Sequence, residues 1–362
     1  MSIINNIEID NSTFINLNKK DGIMFLLDNI LKYKSYKEIA EELNIAVGTI
    51  KRWKELDNIP ESYYFELMKL ANVNIDYSKF TYKEKDQFFT PIITAEFCYK
   101  KLLDVLEKNR ENEEEFIYIE PSAGSGNFLK ILPKNRTIAV DIEPKGPDII
   151  EADYLKWLPT DKNGKYIVIG NPPFGLRGQL ALKFMNHSYE FAEYVAFILP
   201  QLFESDGKGV PRKRVVGYHL LHSEKIDTNF IEPSGKEIKV NCIFQIWSKN
   251  HENDTYKIKK INTDIMKIYS LSDGGTPSTT RNKSMFDKCD IFIPSTCFGK
   301  ENMKYYESFD TLPRKKGYGI IFNLQKEENI QKFKEIDWTK IAFLSTNSAY
   351  NIRSSKISEL FK

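Results

Sequence analysis

A chain of 362 residues is long enough for two or three domains and a sizeable core. Its 52 lysines and arginines nearly balance 50 aspartates and glutamates, and no run of about 18 apolar residues occurs, so a membrane span is not expected. The start, Met1-Ser2-Ile3-Ile4-Asn5-Asn6, lacks the basic-then-apolar pattern of a secretory signal, which points to a cytoplasmic chain.

The near-neutral total hides an asymmetry. From Tyr256 to Lys362 there are 19 lysines and arginines against 12 aspartates and glutamates, +7, which leaves −5 for the preceding 255 residues. Contact with a phosphate backbone needs such a basic segment, although solvated surface charge produces the same imbalance. Cys98, Cys242, Cys289 and Cys297 form no Cys-x-x-Cys pair, and His219 and His222 lack a third partner at ligand spacing. No metal site is expected.

Taken in order, the apolar patch Gly22 to Leu27 predicts a helix running toward Tyr33. Ser35 with Glu38 three residues on reads as a capping box, and Ile39, Ala40 and Leu43 follow at helical spacing. Asn44 marks a turn. Val47 to Lys54 predicts a second short helix, with Ile50 and Trp53 on one face and Thr49, Lys51 and Arg52 on another. Two short helices around a small turn, the second basic on its outer face, describe a helix-turn-helix. With Pro60 and Phe65 to Ala71 added, Tyr36 to Ile75 resembles the helix-turn-helix of the phage-repressor family. The resemblance implies that Thr49, Lys51 and Arg52 face a DNA groove; a helical domain that only packs or dimerises is the alternative.

Asp76 to Glu84 reads as a linker, and Lys85 to Pro91 leads into a helix that begins at Ile92 with Pro91 in its first turn. The charge run Glu107 to Glu115 closes that helix as a solvated connector. Phe116 to Ile119 reads as a buried strand running into Glu120-Pro121-Ser122-Ala123-Gly124-Ser125-Gly126-Asn127, with an apolar helix, Phe128 to Leu132, beyond. Glycines at a strand-to-helix turn let the backbone approach a ligand and aim helix N–H groups at an anion, such as an amino-acid carboxylate. A second strand, Thr137 to Val140, ends on Asp141, an acidic residue placed to accept bonds from ribose hydroxyls. Asp153 is placed to hydrogen-bond an adenine amino group. The strand Tyr166 to Ile169 then delivers Asn171-Pro172-Pro173-Phe174 to the edge where ligands bind in open α/β sheets. Such a tetrad suits methyl transfer to an exocyclic amino nitrogen.

Leu180 to Phe191 reads as a helix, and Tyr194 to Pro200 and Val240 to Trp247 as strands. The glycine-rich loop Gly207 to Arg214 offers Lys208, Arg212, Lys213 and Arg214 as candidate phosphate contacts. Phe230 is a candidate stacking ring, with an ordinary core aromatic as the alternative. Short strand-like pieces, Asp290 to Ile293, Gly319 to Phe322 and Ile341 to Leu344, lie among basic and aromatic residues of the last hundred positions.

In this order Asp86-Gln87-Phe88-Phe89-Thr90-Pro91, Glu120-Pro121-x-x-Gly124-x-Gly126, Asp141, Asp153 and Asn171-Pro172-Pro173-Phe174 resemble the motifs of S-adenosylmethionine-dependent amino-methyltransferases of the N6-adenine DNA type. The match covers about half the chain, from Lys85 to roughly Lys249. It implies an α/β architecture: a Rossmann-like methyltransferase domain over 79–255, a small all-α helix-turn-helix domain over 1–78 in front, and an α+β target-recognition region over 256–362. S-adenosyl-L-methionine is the implied cofactor. Phe88, Thr90 and Pro91 would flank its methionine end, with Asn171 adjoining. Glu120 and the Gly124/Gly126 loop would hold the amino acid and sulfonium, Asp141 the ribose and Asp153 the adenine ring, with Ser122, Ile142 and Tyr154 as further cofactor-binding residues. The implied catalytic set is Asn171, Pro172, Pro173 and Phe174. Duplex DNA with a short adenine-bearing recognition sequence is the implied partner, and a cognate restriction endonuclease a further one. An RNA adenine methyltransferase, a protein glutamine methyltransferase and a regulator with a silent methyltransferase domain are the competing readings.

Overall fold

A computed structural model describes residues 19–43, 45–73, 75, 81–82, 85–205, 210–257, 264–277, 279–345 and 348–361. Asn44, most of the 76–84 linker and Lys208 lie outside these residues. Among the described residues, no helix is long and apolar enough to cross a membrane.

Among the described residues of the N-terminal region there are four short α-helices: α1 (Lys19–Ile30), α2 (Tyr36–Glu42), α3 (Val47–Glu55) and α4 (Tyr64–Leu70). The capping box at α2 is formed, with the Glu38 N–H donating to Ser35 Oγ at 3.2 Å and the Ser35 N–H to Glu38 Oε2 at 2.7 Å. Ile50 and Trp53 of α3 turn into a core with Ile23, Leu26, Leu27, Ile39 and Leu67, and Trp53 meets Tyr63 edge-on at 4.6 Å. Lys51 and Arg52 lie on the opposite, exposed face.

Helix α5 (Ile92–Lys108) follows Pro91, which caps it rather than entering it. The central sheet contains β1 (Phe116–Glu120), β2 (Thr137–Asp141), β3 (Ile150–Glu151), β4 (Lys165–Gly170), β5 (Ala192–Pro200), β6 (His219–Ile226) and β9 (Cys242–Ser248), while β7 (Asn229–Ile231) and β8 (Glu237–Lys239) form a hairpin beside it. The strand order is β3-β2-β1-β4-β5-β9-β6, parallel as far as β5, with β9 antiparallel to both its neighbours. Helix α5 covers one face through Ala95, Cys98, Leu102 and Leu106. Helix α6 (Gln179–Ser188) covers the other through Ala181, Leu182 and Met185. A parallel sheet covered on both faces requires strands that are apolar throughout, and β4 is buried from Tyr166 to Gly170. The chain runs outward from β1 in one direction and from β4 in the other, so the crevice of this Rossmann-like sheet opens at their carboxyl ends.

The C-terminal region is α+β. Strands β10 (Met266–Ser272), β13 (Lys316–Phe322) and β11 (Ile291–Pro294) pair antiparallel in that order, and β12 (Thr296–Cys297), β15 (Tyr350–Asn351) and β14 (Phe343–Leu344) form a second small sheet. Helices α7 (Lys326–Glu335), α8 (Trp338–Ile341) and α9 (Ser354–Glu359) enclose Phe322, Phe333, Trp338 and Phe361. The region is tied to the segment after β5, where Leu344 N donates to Gln201 Oε1 at 2.7 Å and Arg353 Nε to Ser205 Oγ at 2.6 Å.

Three local expectations need correction. Phe128 to Leu132 forms turns rather than a helix: five residues before Pro133 cannot propagate one, and burial of Phe128 and Leu132 holds the segment down instead. The 107–115 connector is not simply solvated, because Glu113 takes Arg136 and the Tyr118 hydroxyl and Glu111 takes Tyr194 and His251. Ile341 belongs to α8, leaving a strand of two residues.

The two faces of α3 differ measurably. Trp53→Ala should destabilise the helical region by about 3–5 kcal/mol, whereas Lys51→Ala should change it by less than about 0.5 kcal/mol. Chemical denaturation followed by tryptophan fluorescence for Lys51→Ala and by circular dichroism for both tests this.

Candidate active site

The carboxyl ends of β1, β2 and β4 bring the sequence motifs into one crevice. A Cβ on Gly170 would stand 3.3 Å from Pro121 and 3.5 Å from Glu120, which measures how closely the ends of β1 and β4 approach. The loop after β1 joins the loop after β4 through Ser122 Oγ, which donates to the Asn171 carbonyl at 3.1 Å. It joins β2 through Gly124 N, which donates to Asp141 Oδ2 at 2.7 Å, while Asp141 Oδ1 accepts from Glu143 N at 2.7 Å. Gly124 and Gly126 both have positive φ, and the Phe89 ring lies against Gly124 where a Cβ would come within 3.1 Å.

The segment 85–91 crosses this crevice. Lys85 pairs with Glu143 at 2.9 Å, and Asp86 Oδ2 accepts from Gly175 N at 2.7 Å. The Phe88 carbonyl accepts from Asn171 Nδ2 at 3.3 Å. Phe89 exchanges backbone bonds of 2.8 and 2.9 Å with Ile231 of β7, and the Thr90 carbonyl accepts from Asn127 Nδ2 at 2.8 Å. Phe88, Thr90 and Pro91 are thereby brought beside the glycine loop and Asn171.

A buried and a half-buried carboxylate, Glu120 and Asp141, dominate the electrostatics. Glu120 is 3% exposed and its Oε2 has no hydrogen-bond partner. Burial, with the nearby charge of Asp141, pushes its carboxyl well above the usual carboxylate range against the pull of the Leu129 N–H. Burial also raises Asp141, opposed by the N–H groups of Glu143 and Gly124. A cation in this crevice would relieve the cost of both. Asn171 Oδ1 is the second orphan: it is buried without a partner, while its Nδ2 is engaged by Phe88. Buried polar atoms of this kind are uncommon; among the described residues Gln179 Nε2 and Ser355 Oγ are the other two, and the crevice holds Glu120 Oε2 and Asn171 Oδ1.

The remaining predicted residues fall in different places. Ile142 is 40% exposed beside Asp141, an apolar surface open to a ligand. Asp153 caps a short turn through Leu155 N at 3.1 Å. Tyr154 is buried, its hydroxyl on Ser188 at 2.7 Å and its ring stacked on Phe184 at 5.0 Å, so only its backbone can reach the crevice. Pro172 is buried, and Phe174 packs against the cores on both faces of the sheet. Arg212 donates to the carbonyls of Glu204 and Tyr256, and Arg214 to Gln179 Oε1 at 2.8 Å, so both brace the segment after β5. Phe230 is 2% exposed in the core beside α5.

Sequence reading gave no role to Asp86 or Leu176. Asp86, at φ 56, anchors the Asn171 loop through Gly175, and burial raises its carboxyl against the N–H groups of Gly175 and Phe174. Leu176 packs against the core of the helical region, and Lys183 of α6 pairs with Glu42 of α2 at 3.5 Å. The helical region thus touches the tip of the loop that carries Asn171. Only the tertiary packing reveals that contact.

Several solved structures align in part, although no protein-family model and no curated protein sequence matches the chain. A candidate RNA methyltransferase, PH1948, from Pyrococcus horikoshii is 18% identical, covering 45% of this chain and 86% of that one at a TM-score of 0.33. The 23S rRNA methyltransferase ErmE is 14% identical over 42% of this chain and 68% of that one, with a TM-score of 0.28. The type IIG restriction endonuclease BpuSI is 15% identical over 60% of this chain and 31% of its own length, with a TM-score of 0.32. The strand order itself, rather than these partial superpositions, defines the chain as Rossmann-like.

Glu120 also gives the protein a characteristic pH response. Its folded pKa is raised above the unfolded value of about 4.3, so its contribution to stability is fully present below about pH 4.3 and lost as pH rises through the folded value. Glu120→Gln should therefore melt higher than the wild type at neutral pH in the absence of ligand, with the difference vanishing below about pH 4.3. Melting temperatures measured across pH decide it; a difference independent of pH would contradict the assignment.

Proposed function

We propose that this chain is a methyltransferase that uses S-adenosyl-L-methionine to modify the N6 amino group of a flipped-out adenine in duplex DNA. The observation that carries the reading is the Asn171 side chain: a buried amide oxygen without a partner, held at the crevice by its own nitrogen's bond to Phe88. When bound, the cofactor supplies an electrophilic methyl group on a sulfonium. The unpartnered Glu120 Oε2 and the raised carboxyls of Glu120 and Asp141 suit its cationic methionine end and ribose, and exposed Ile142 suits the adenine face. Phe88, Thr90 and Pro91 close over the methionine end, Ser122 and the Gly124/Gly126 loop form the floor, and Asp153 takes the adenine amino group.

The amino nitrogen of adenine is a poor nucleophile because its lone pair is delocalised into the ring. Asn171 Oδ1 and the Pro172 carbonyl each accept one of its hydrogens, which draws the nitrogen toward a tetrahedral shape and frees the lone pair. Pro173 fixes the turn, and Phe174 stacks on the base plane. Positioning of this kind can supply about 7–11 kcal/mol of the barrier. A base within duplex DNA must first be extruded, at a cost of a few kcal/mol, offset by stacking and pocket contacts.

DNA is favoured as acceptor by the outer face of α3, where Thr49, Lys51 and Arg52 face away from the core and neither Lys51 nor Arg52 has a partner among the described residues. The basic C-terminal region, tied to the carboxyl edge of the sheet, suits a target-recognition role. Such an enzyme would work on cytoplasmic DNA at a short adenine-bearing sequence, with a cognate restriction endonuclease as its natural partner.

Asn171→Ala should lower methyl transfer by about 100-fold or more while donor binding, measured by calorimetry, stays within a few-fold. Transfer of labelled methyl groups to duplex DNA and to structured RNA checks both the variant and the acceptor, and activity confined to RNA would replace DNA with RNA. The double substitution Lys51→Ala, Arg52→Ala should weaken duplex binding and lower the slope of log affinity against log salt by about two. A slope unchanged by it would remove α3 from the interface.

A further inference from the structure

Arg177 sits three residues past Phe174 in an unusual position. It lies at φ 56, ψ 29, between Gly175 at φ 64 and Gly178 at φ 74. The left-handed region suits glycine and costs an L-residue with a side chain conformational energy, which persists only where the surroundings enforce it. The surroundings here do so. A Cβ on Gly175 would fall 2.7 Å from Leu180 Cβ, and one on Gly178 3.1 Å from the Phe203 ring. The Phe174 carbonyl is held by Leu180 N at 3.0 Å, and Leu176 is drawn into the helical region's core. With its neighbours fixed, residue 177 can only point its side chain outward. Arg177 is exposed, and its guanidinium has no hydrogen bond, ion pair or ring contact among the described residues.

Two other described arginines share this backbone conformation, and both have a local reason for it. Arg110, at φ 60, follows the end of α5, where left-handed residues commonly terminate helices. Arg314, at φ 55, lies over the Phe298 ring at 5.2 Å. Arg177 stands before a helix rather than after one, and its ring-free, partner-free guanidinium explains nothing inside the chain. A glycine there would satisfy the backbone better.

We propose that Arg177 is a positioning residue that grips a phosphate of the nucleic-acid strand carrying the target base. This rests on the function proposed above, because the loop that would hold the extruded base is the loop that presents Arg177. A guanidinium offers a planar fork of N–H donors that matches the paired oxygens of a phosphodiester, and the backbone on either side of an extruded nucleotide must pass the mouth of the crevice. The strain at residue 177 fixes the root of that fork, so the base pocket and the phosphate contact move as one loop.

Arg177→Gly separates this role from a structural one, since it removes the side chain and relieves the backbone. In the full chain, Arg177→Gly should melt no lower than the wild type and bind S-adenosylmethionine equally well. Its dissociation constant for an adenine-containing duplex should rise by about tenfold irrespective of sequence, and its salt slope should fall by about one. Arg177→Lys, which keeps the charge, should retain the slope. Wild-type affinity and slope in Arg177→Gly would overturn the inference, as would weaker binding accompanied by a lower melting temperature or weaker donor binding. Should the wild type transfer no methyl group to any nucleic acid, the proposed function falls, while the salt slopes still decide the role of Arg177.

Discussion

The crevice depends on the strap formed by residues 85–91. It is fastened to β2's loop by Lys85 and Glu143, to the Asn171 loop by Asp86 and Gly175, to Asn171 itself by the Phe88 carbonyl, and to β7 by Phe89 and Ile231. These are short contacts between segments far apart in sequence, so their loop-closure entropy is already met by the fold of the sheet. The bond from Asn171 Nδ2 to Phe88 sets the orientation of the amide. An amide has one acceptor end and one donor end, and engaging the nitrogen leaves the oxygen buried without a partner.

Burial makes the crevice electrostatically unsatisfied as well as shaped. Glu120 is raised by desolvation and by the charge of Asp141, and Asp141 by desolvation and by the charge of Glu143, while no described lysine or arginine makes an ion pair with Glu120 or Asp141. A fold that only needed filling at this point would gain stability from apolar side chains. Retaining two neighbouring carboxylates therefore costs stability, and shifted carboxyls of this kind cluster at functional sites.

Much of this was legible in the sequence, for identifiable reasons. Strands β1, β2, β4 and β5 are buried on both faces, so they read as apolar runs, and the turn residues at their carboxyl ends carry the motifs. The capping box at Ser35 and the opposite faces of Ile50 and Lys51 followed from local chemistry. What stayed hidden depends on distant contacts. Phe128 to Leu132 is as apolar as a helix, yet it is held as turns by burial of its ends. Strand β6 mixes buried and exposed positions at the sheet edge, so its sequence lacks a clean period. The role of Arg212 and Arg214 could not be separated from that of free surface cations until Glu204, Tyr256 and Gln179 were seen to hold them.

The two flanking regions meet the central sheet at the same edge. The helical region reaches the Asn171 loop through Leu176 and α6 through Glu42, and the C-terminal region reaches the segment after β5 through Gln201 and Ser205. Phe203, within that segment, stands against Gly178 at the far end of the same loop. Both flanking regions therefore bear on residues 174–178, one from each end, and the loop has little freedom to relax. A displacement of either region would be felt at Asn171 and Phe174 before it reached the glycine loop, because the latter, although joined to Asn171 through Ser122, is also held to β2 by Asp141. The glycine-loop side of the crevice is thus built into the sheet, whereas the Asn171 side is held by the parts of the chain that carry its basic surfaces.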